Sequence, residues 1–179
     1  HQIVATRVGV HFTHSLEEKQ SQPGTEGIEN SQIRLTDGSS IFTPNLFGEG
    51  ITVNEVDYNM MSVDAGVKYK GMSLEGEYYW RWVDDFSVVG EIPVDELFDH
   101  GFQLQGSTML VPSSLQAYVS GSKIFGEYGD PWDTAIGLNW FPMKRRELRV
   151  NLQGLYLDRS PVGYASVPFV VGGDGWVFT

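Results

Sequence analysis

Between Met60 and Trp82 the chain changes chemical character at almost every residue. One set of alternate positions holds Met61, Val63, Ala65, Val67 and Tyr69; the other holds Met60, Ser62, Asp64, Gly66, Lys68 and Lys70. Successive side chains of a strand point to opposite sides, so a period of two specifies a strand with one apolar and one polar face. Lys70-Gly71 is a tight-turn dipeptide, after which Met72, Leu74, Gly76, Tyr78, Trp80 and Trp82 alternate with Ser73, Glu75, Glu77, Tyr79 and Arg81. The two runs predict one hairpin.

The pattern recurs along the chain. Phe102, Leu104, Gly106, Thr108 and Leu110 alternate with Gln103, Gln105 and Ser107; after the turn "VPSS", Leu115, Ala117, Val119 and Gly121 alternate with Gln116, Tyr118, Ser120 and Ser122. Ile136, Leu138 and Trp140 oppose Gly137 and Asn139, and beyond "PMKRRE" the positions Leu148, Val150, Leu152, Gly154 and Tyr156 oppose Arg149, Asn151 and Gln153. Near the start, Val4, Thr6, Val8, Val10 and Phe12 oppose Ala5, Arg7, Gly9, His11 and Thr13. About seven strands and a stub, "GWVFT", are thus expected in one all-β domain over residues 1–179, with short turns alternating with longer loops at 15–50, 87–100, 126–133 and 160–175. "IENSQIRL" inside the first loop reads as a short strand or turn of its own.

Composition narrows the function classes. The net charge of −11 disfavours a nucleic-acid partner. Cysteine is absent, which removes disulfides and thiolate metal sites. No run approaches the ~18 apolar residues of a spanning helix. The amino end "HQIVATRVGV" has neither an initiator methionine nor an apolar leader run, as in a mature chain or a piece of a longer one.

Alternation alone also fits a soluble sandwich, such as a carbohydrate-binding module with Trp80 and Trp82 as a sugar platform. Three features favour a membrane. Tryptophan and tyrosine gather at strand ends, as in interfacial girdles: Tyr78, Trp80, Trp82, Trp140 and Tyr156 are the expected lipid-interface aromatics. Alternating segments of about 10 residues suit tilted membrane-crossing strands. Acidic residues collect in the long loops, among them Asp84, Asp85, Glu91, Asp95, Glu96 and Asp99, whereas Lys144, Arg145 and Arg146 share one short turn. Backbone groups in hydrocarbon must be paired, so a membrane sheet is expected to close into an antiparallel up-and-down transmembrane β-barrel. On this reading Arg7, Asp64, Lys68, Glu75, Glu77, Arg81, Gln103, Gln105, Gln116, Asn139, Arg149, Asn151 and Gln153 line a water-filled pore.

No catalytic constellation is evident, and the expectation is a non-enzyme without cofactor or metal. His11 and His14, three apart on a strand, point to opposite faces and cannot chelate one ion together. Glu75 and Glu77 share a face, but Arg81 and the facing Asp64 and Lys68 offer partners, so they read as lumen-lining charges rather than a glycosidase pair. The acidic loop "DDF" with "EIPVDELFD" matches no EF-hand spacing.

The stretches "GFQLQGSTMLVPSSLQAYVSGSKIF", "GLNWFP" with its basic turn, and "LRVNLQGLYLDRS" resemble the late strands of the phosphate-selective porin O/P family of bacterial outer membranes. "HFTHSLEEKQSQPGTEGIENSQIRL" and "SPVGYASVPFVVGG" are similar to a branch found in planctomycete-type bacteria. The resemblance implies a barrel of about sixteen strands, of which this chain is the later half. It further implies an outer-membrane homotrimer in contact with lipid and lipopolysaccharide, and passive diffusion of small, phosphate-like anions. A non-conducting outer-membrane barrel is the other membrane reading.

Overall fold

The computed structural model describes residues 3–20, 30, 32–145, 147–159 and 173–179. Eight strands form one antiparallel sheet: β1 (Ala5–Glu18), β2 (Thr52–Tyr69), β3 (Met72–Val89), β4 (Leu97–Val111), β5 (Leu115–Phe125), β6 (Trp132–Trp140), β7 (Val150–Asp158) and β8 (Gly175–Phe178). Each strand pairs with the next in sequence, giving an up-and-down order from β1 to β8. The expected stub is therefore an eighth strand, held by Tyr156 opposite Trp176. β1 and β8 are the two edges and do not pair with each other, so the sheet is open rather than closed.

The register puts the alternating sets on common faces. Val8, Ala65 and Gly76 are successive partners on one side, and Glu75, Gln105 and Ser120 on the other. The β2–β3 turn follows its dipeptide: Lys70 and Gly71 both have positive φ, 43° and 84°, as a two-residue turn that keeps the strand twist requires.

Several boundaries differ from the expected ones, β6 for instance beginning at Trp132 inside the loop expected at 126–133. β1 and β3 run on to Glu18 and Val89, and β4 begins at Leu97, so the loops expected at 15–50 and 87–100 shrink to 19–51 and 90–96. In β2 and β3 the alternation is interrupted by bulges. β3 gains one residue around Asp85, whose φ is 47°, and β2 gains one around Asn54. An extra residue turns every later side chain to the opposite face. Leu148 and Arg149, expected in β7, precede it. Most of the loop expected at 160–175, together with Arg146 and much of "IENSQIRL", lies outside the described residues; in the remainder, Arg34 bridges Ser40 across a turn.

The core is not between two layers. Ile33, Leu35, Ile41 and Phe42 from the β1–β2 connection pack against Val53, Val56, Val83 and Leu97 at the long-loop end of the sheet. Val83 and Leu97 lie two residues from Arg81 and Asp99, hence on the polar face. The connection folds inward over that face, and the bulges turn Phe86 and Val88 toward it. Burial of each such side chain contributes roughly 1.5–3 kcal/mol, enough to hold a segment without regular structure. The apolar face has no such cover among the described residues: Val8 is 75% exposed, Ile136 65%, Leu152 65% and Leu74 49%.

Candidate functional site

The polar face divides into a charged half on β1–β4 and a mostly neutral half on β4–β7. In the charged half each cation has a carboxylate beside it. Arg7 Nη2 stands 2.8 Å from Asp64 Oδ1, and His11 Nε2 lies 2.9 Å from Asp64 Oδ2. Gly9, between them on β1, leaves room for that carboxylate where any side chain would collide with it. Lys68 Nζ is 2.6 Å from Glu75 Oε1. Arg81 donates from Nε to Asp99 Oδ2 at 3.0 Å, and its Nη2 contacts the same oxygen. This last pair is the most enclosed, with Asp99 only 5% exposed beneath the folded-in connection.

The pairing corrects the sequence expectation in part. Lys68 does meet Glu75, but Arg81 turns to Asp99 rather than to the glutamates. Register is the reason: Asp99 stands directly opposite Arg81 on β4, while Asp64 stands opposite Glu77, a like charge, and its carboxylate lies toward β1. Asp99 had been assigned to a loop. Continuing the β4 alternation backward from Gly101 would have placed it inward.

The neutral half carries a hydrogen-bonded ladder across five strands. Ser73 Oγ and Ser107 Oγ are 2.7 Å apart; Gln116 Nε2 donates to Ser107 Oγ at 2.9 Å; Asn139 Nδ2 donates to Gln116 Oε1 at 3.2 Å; Asn151 Nδ2 donates to Asn139 Oδ1 at 3.0 Å. Asn151 also donates to the Tyr118 hydroxyl at 2.9 Å. The Tyr118 ring lies flat over Gly137, its partner on β6, where a Cβ would intrude. Ser107, Gln116, Tyr118, Asn139 and Asn151, with Gln105, Gln153 and Arg149, border a polar depression of about 360 Å³. Of the expected pore-lining set, this gathers Gln105, Gln116, Asn139, Arg149, Asn151 and Gln153 in one place; Gln103 faces Glu77 nearer the charged half. Ser73, Ser107 and Tyr118 were not singled out from the sequence, although their inward alternation was.

The opposite face presents an aromatic belt at the long-loop end. Ring neighbours run from Tyr78–Trp80 (4.8 Å) and Trp82–Phe98 (5.5 Å) through Phe98–His100 (5.8 Å) and His100–Phe125 (5.0 Å). Further along, Trp132–Tyr156 (5.4 Å) and Tyr156–Trp176 (5.3 Å) continue it. Tyr78, Trp80, Trp82 and Tyr156 are thus on one belt, and Trp140 stands at the short-turn end of the same face. Phe98, His100, Phe125, Trp132 and Trp176 complete the belt unforeseen. The Tyr78 hydroxyl and His100 Nδ1 lie 2.6 Å apart, which satisfies a polar atom within the belt, and Lys123, opposite Phe102 on the same face, holds its ammonium 4.9 Å from the Phe125 ring centre.

Among the described residues no three potential metal ligands converge, and no helix is long and apolar enough to cross a membrane. No protein-family model, curated protein or solved structure matches the chain.

Proposed function

We propose that this sheet is a segment of the wall of an outer-membrane β-barrel pore through which small polar solutes diffuse passively. The observation that carries the reading is the contrast between the two faces. All five tryptophans project from the uncovered apolar face, while the other side holds ion pairs and a continuous amide–hydroxyl network. From Met72 to Trp82 the apolar side of β3 spans ten residue steps; at ~3.3 Å per residue and a ~45° tilt this is about 23 Å of membrane depth, close to the apolar band of such barrels. The unpaired edges of β1 and β8 then meet further strands, since a sheet in hydrocarbon tolerates no open edge.

A second reading, a barrel that does not conduct, is favoured by one observation: residues 33–47 of the β1–β2 connection cover the polar face at the long-loop end. Reconstitution into planar bilayers separates the two. Discrete conductance steps support the pore; stable membrane insertion without conductance supports the closed barrel; solubility without detergent contradicts both.

A further inference from the structure

We infer that the solutes favoured by this wall are neutral and hydroxyl-rich, of the sugar or polyol class, rather than anions. The inference rests on the pore reading and concerns the same face. An anion-selective wall needs positive charge and hydrogen-bond donors that no protein acceptor has taken.

Here the inward cations of the sheet are neutralised one by one: Arg7 by Asp64, Lys68 by Glu75 and Arg81 by Asp99. Glu77 and Asp133 add further carboxylates to the same face, and Arg149 stands at the polar depression without a carboxylate among its bordering residues. Charge does not favour an anion on this wall.

The depression itself has a different chemistry. Amides present a carbonyl acceptor and an NH₂ donor side by side, and hydroxyls present both in one atom. The ladder from Ser107 through Gln116 and Asn139 to Asn151 uses part of that capacity internally, which fixes the groups in place. The Asn151 amide protons are taken by Tyr118, Leu138 and Asn139, whereas Gln116 and Asn139 each use one amide proton within the ladder and keep a second, so the row offers a solute both donors and carbonyl acceptors. A phosphate is acceptor-rich: Arg149 attracts it at one border of the depression, but the carbonyl half of the row repels it. A polyol hydroxyl gives and accepts, and meets both halves.

The test uses the intact protein in two assays. In liposome swelling, neutral sugars of graded size are expected to enter freely. In planar bilayers under a KCl gradient, the chloride-to-potassium permeability ratio is expected within about twofold of one, and added phosphate leaves the current unchanged. Asn139→Leu with Gln116→Leu is expected to slow sugar entry about threefold more than it lowers KCl conductance, as a loss of hydrogen-bonding beyond any change of bore requires. A strong chloride preference, block by phosphate, or exclusion of sugars by a conducting protein would overturn the inference and leave the pore standing. Absence of any conductance would overturn the pore reading itself and this inference with it. The permeability ratio of the unaltered protein decides the matter even if the double variant fails to fold.

Discussion

Arg81 reaches across from β3 to bind Asp99 on β4 beneath the folded-in connection, with Asp99 nearly sealed from solvent and the Arg81 side chain 19% exposed. An arginine that reads in isolation as an attractor for anions is thereby an element of structure. Removing one member of a buried pair leaves the other charge without compensation, at a cost of about 3–5 kcal/mol. Asp99→Asn is therefore expected to lower the unfolding midpoint in denaturant. In any folded fraction it shifts the permeability ratio toward anions, since Arg81 is then an unneutralised cation. An unchanged ratio in a folded variant would mean that Arg81 does not face the conducting space.

The two faces are expected to differ in their tolerance of charge. Ile136 lies mid-strand on the apolar side and Gln153 on the polar side of the neighbouring strand. Ile136→Arg is expected to cost about 2–4 kcal/mol of stability in a bilayer, and Gln153→Arg well under half of that. Unfolding by urea from lipid vesicles measures both. Equal costs would remove the assignment of the apolar side to hydrocarbon.

Phe42 is fully buried against the sheet. Phe42→Ala is expected to weaken the docking of the connection by about 3–5 kcal/mol. Limited proteolysis should then cut within residues 32–51 faster, and conductance should rise if that segment narrows the passage. Resistance unchanged from the parent protein would place the holding energy elsewhere.

Tyr128, in the β5–β6 connection, packs edge-on to Phe47 at 6.4 Å. Burial, aided by the charges of Glu127 and Asp37, pushes its phenol above the ordinary tyrosine value. The folded value exceeds the unfolded one, so the stabilisation is fully present below about pH 10 and is lost as pH rises through the folded value. Proteolysis of 32–51 compared at pH 9 and pH 11 should show this loosening, and Tyr128→Phe should reduce the added sensitivity, the remainder coming from Tyr58, whose phenol burial against the same core also raises.

Alternation made the faces of β1 to β7 legible, because a half-wet strand must repeat every two residues. It failed where that condition lapses. Around Val83, Phe86 and Leu97 the face covered by the connection turns apolar while the other carries Asp57 opposite Asp84 and Glu55 opposite Ser87, and the bulges at Asp85 and Asn54 shift the phase. Ile33, Leu35, Ile41 and Phe42 follow no period because they pack from a loop. Likewise the partners of Arg81 and Asp64 depend on strand register, which no single strand's sequence contains.

The account stands on lipid contact by the apolar face, and the tryptophans report on it directly. Trp80, Trp82, Trp132, Trp140 and Trp176 all project from that side, toward its two ends. Fluorescence quenching by lipids brominated along the acyl chain measures their depth in vesicles. Strong quenching is expected, greatest for bromines near the headgroup and weaker toward the bilayer centre, with little effect from aqueous iodide. Quenching by iodide alone, with none from the brominated lipids, would contradict the account.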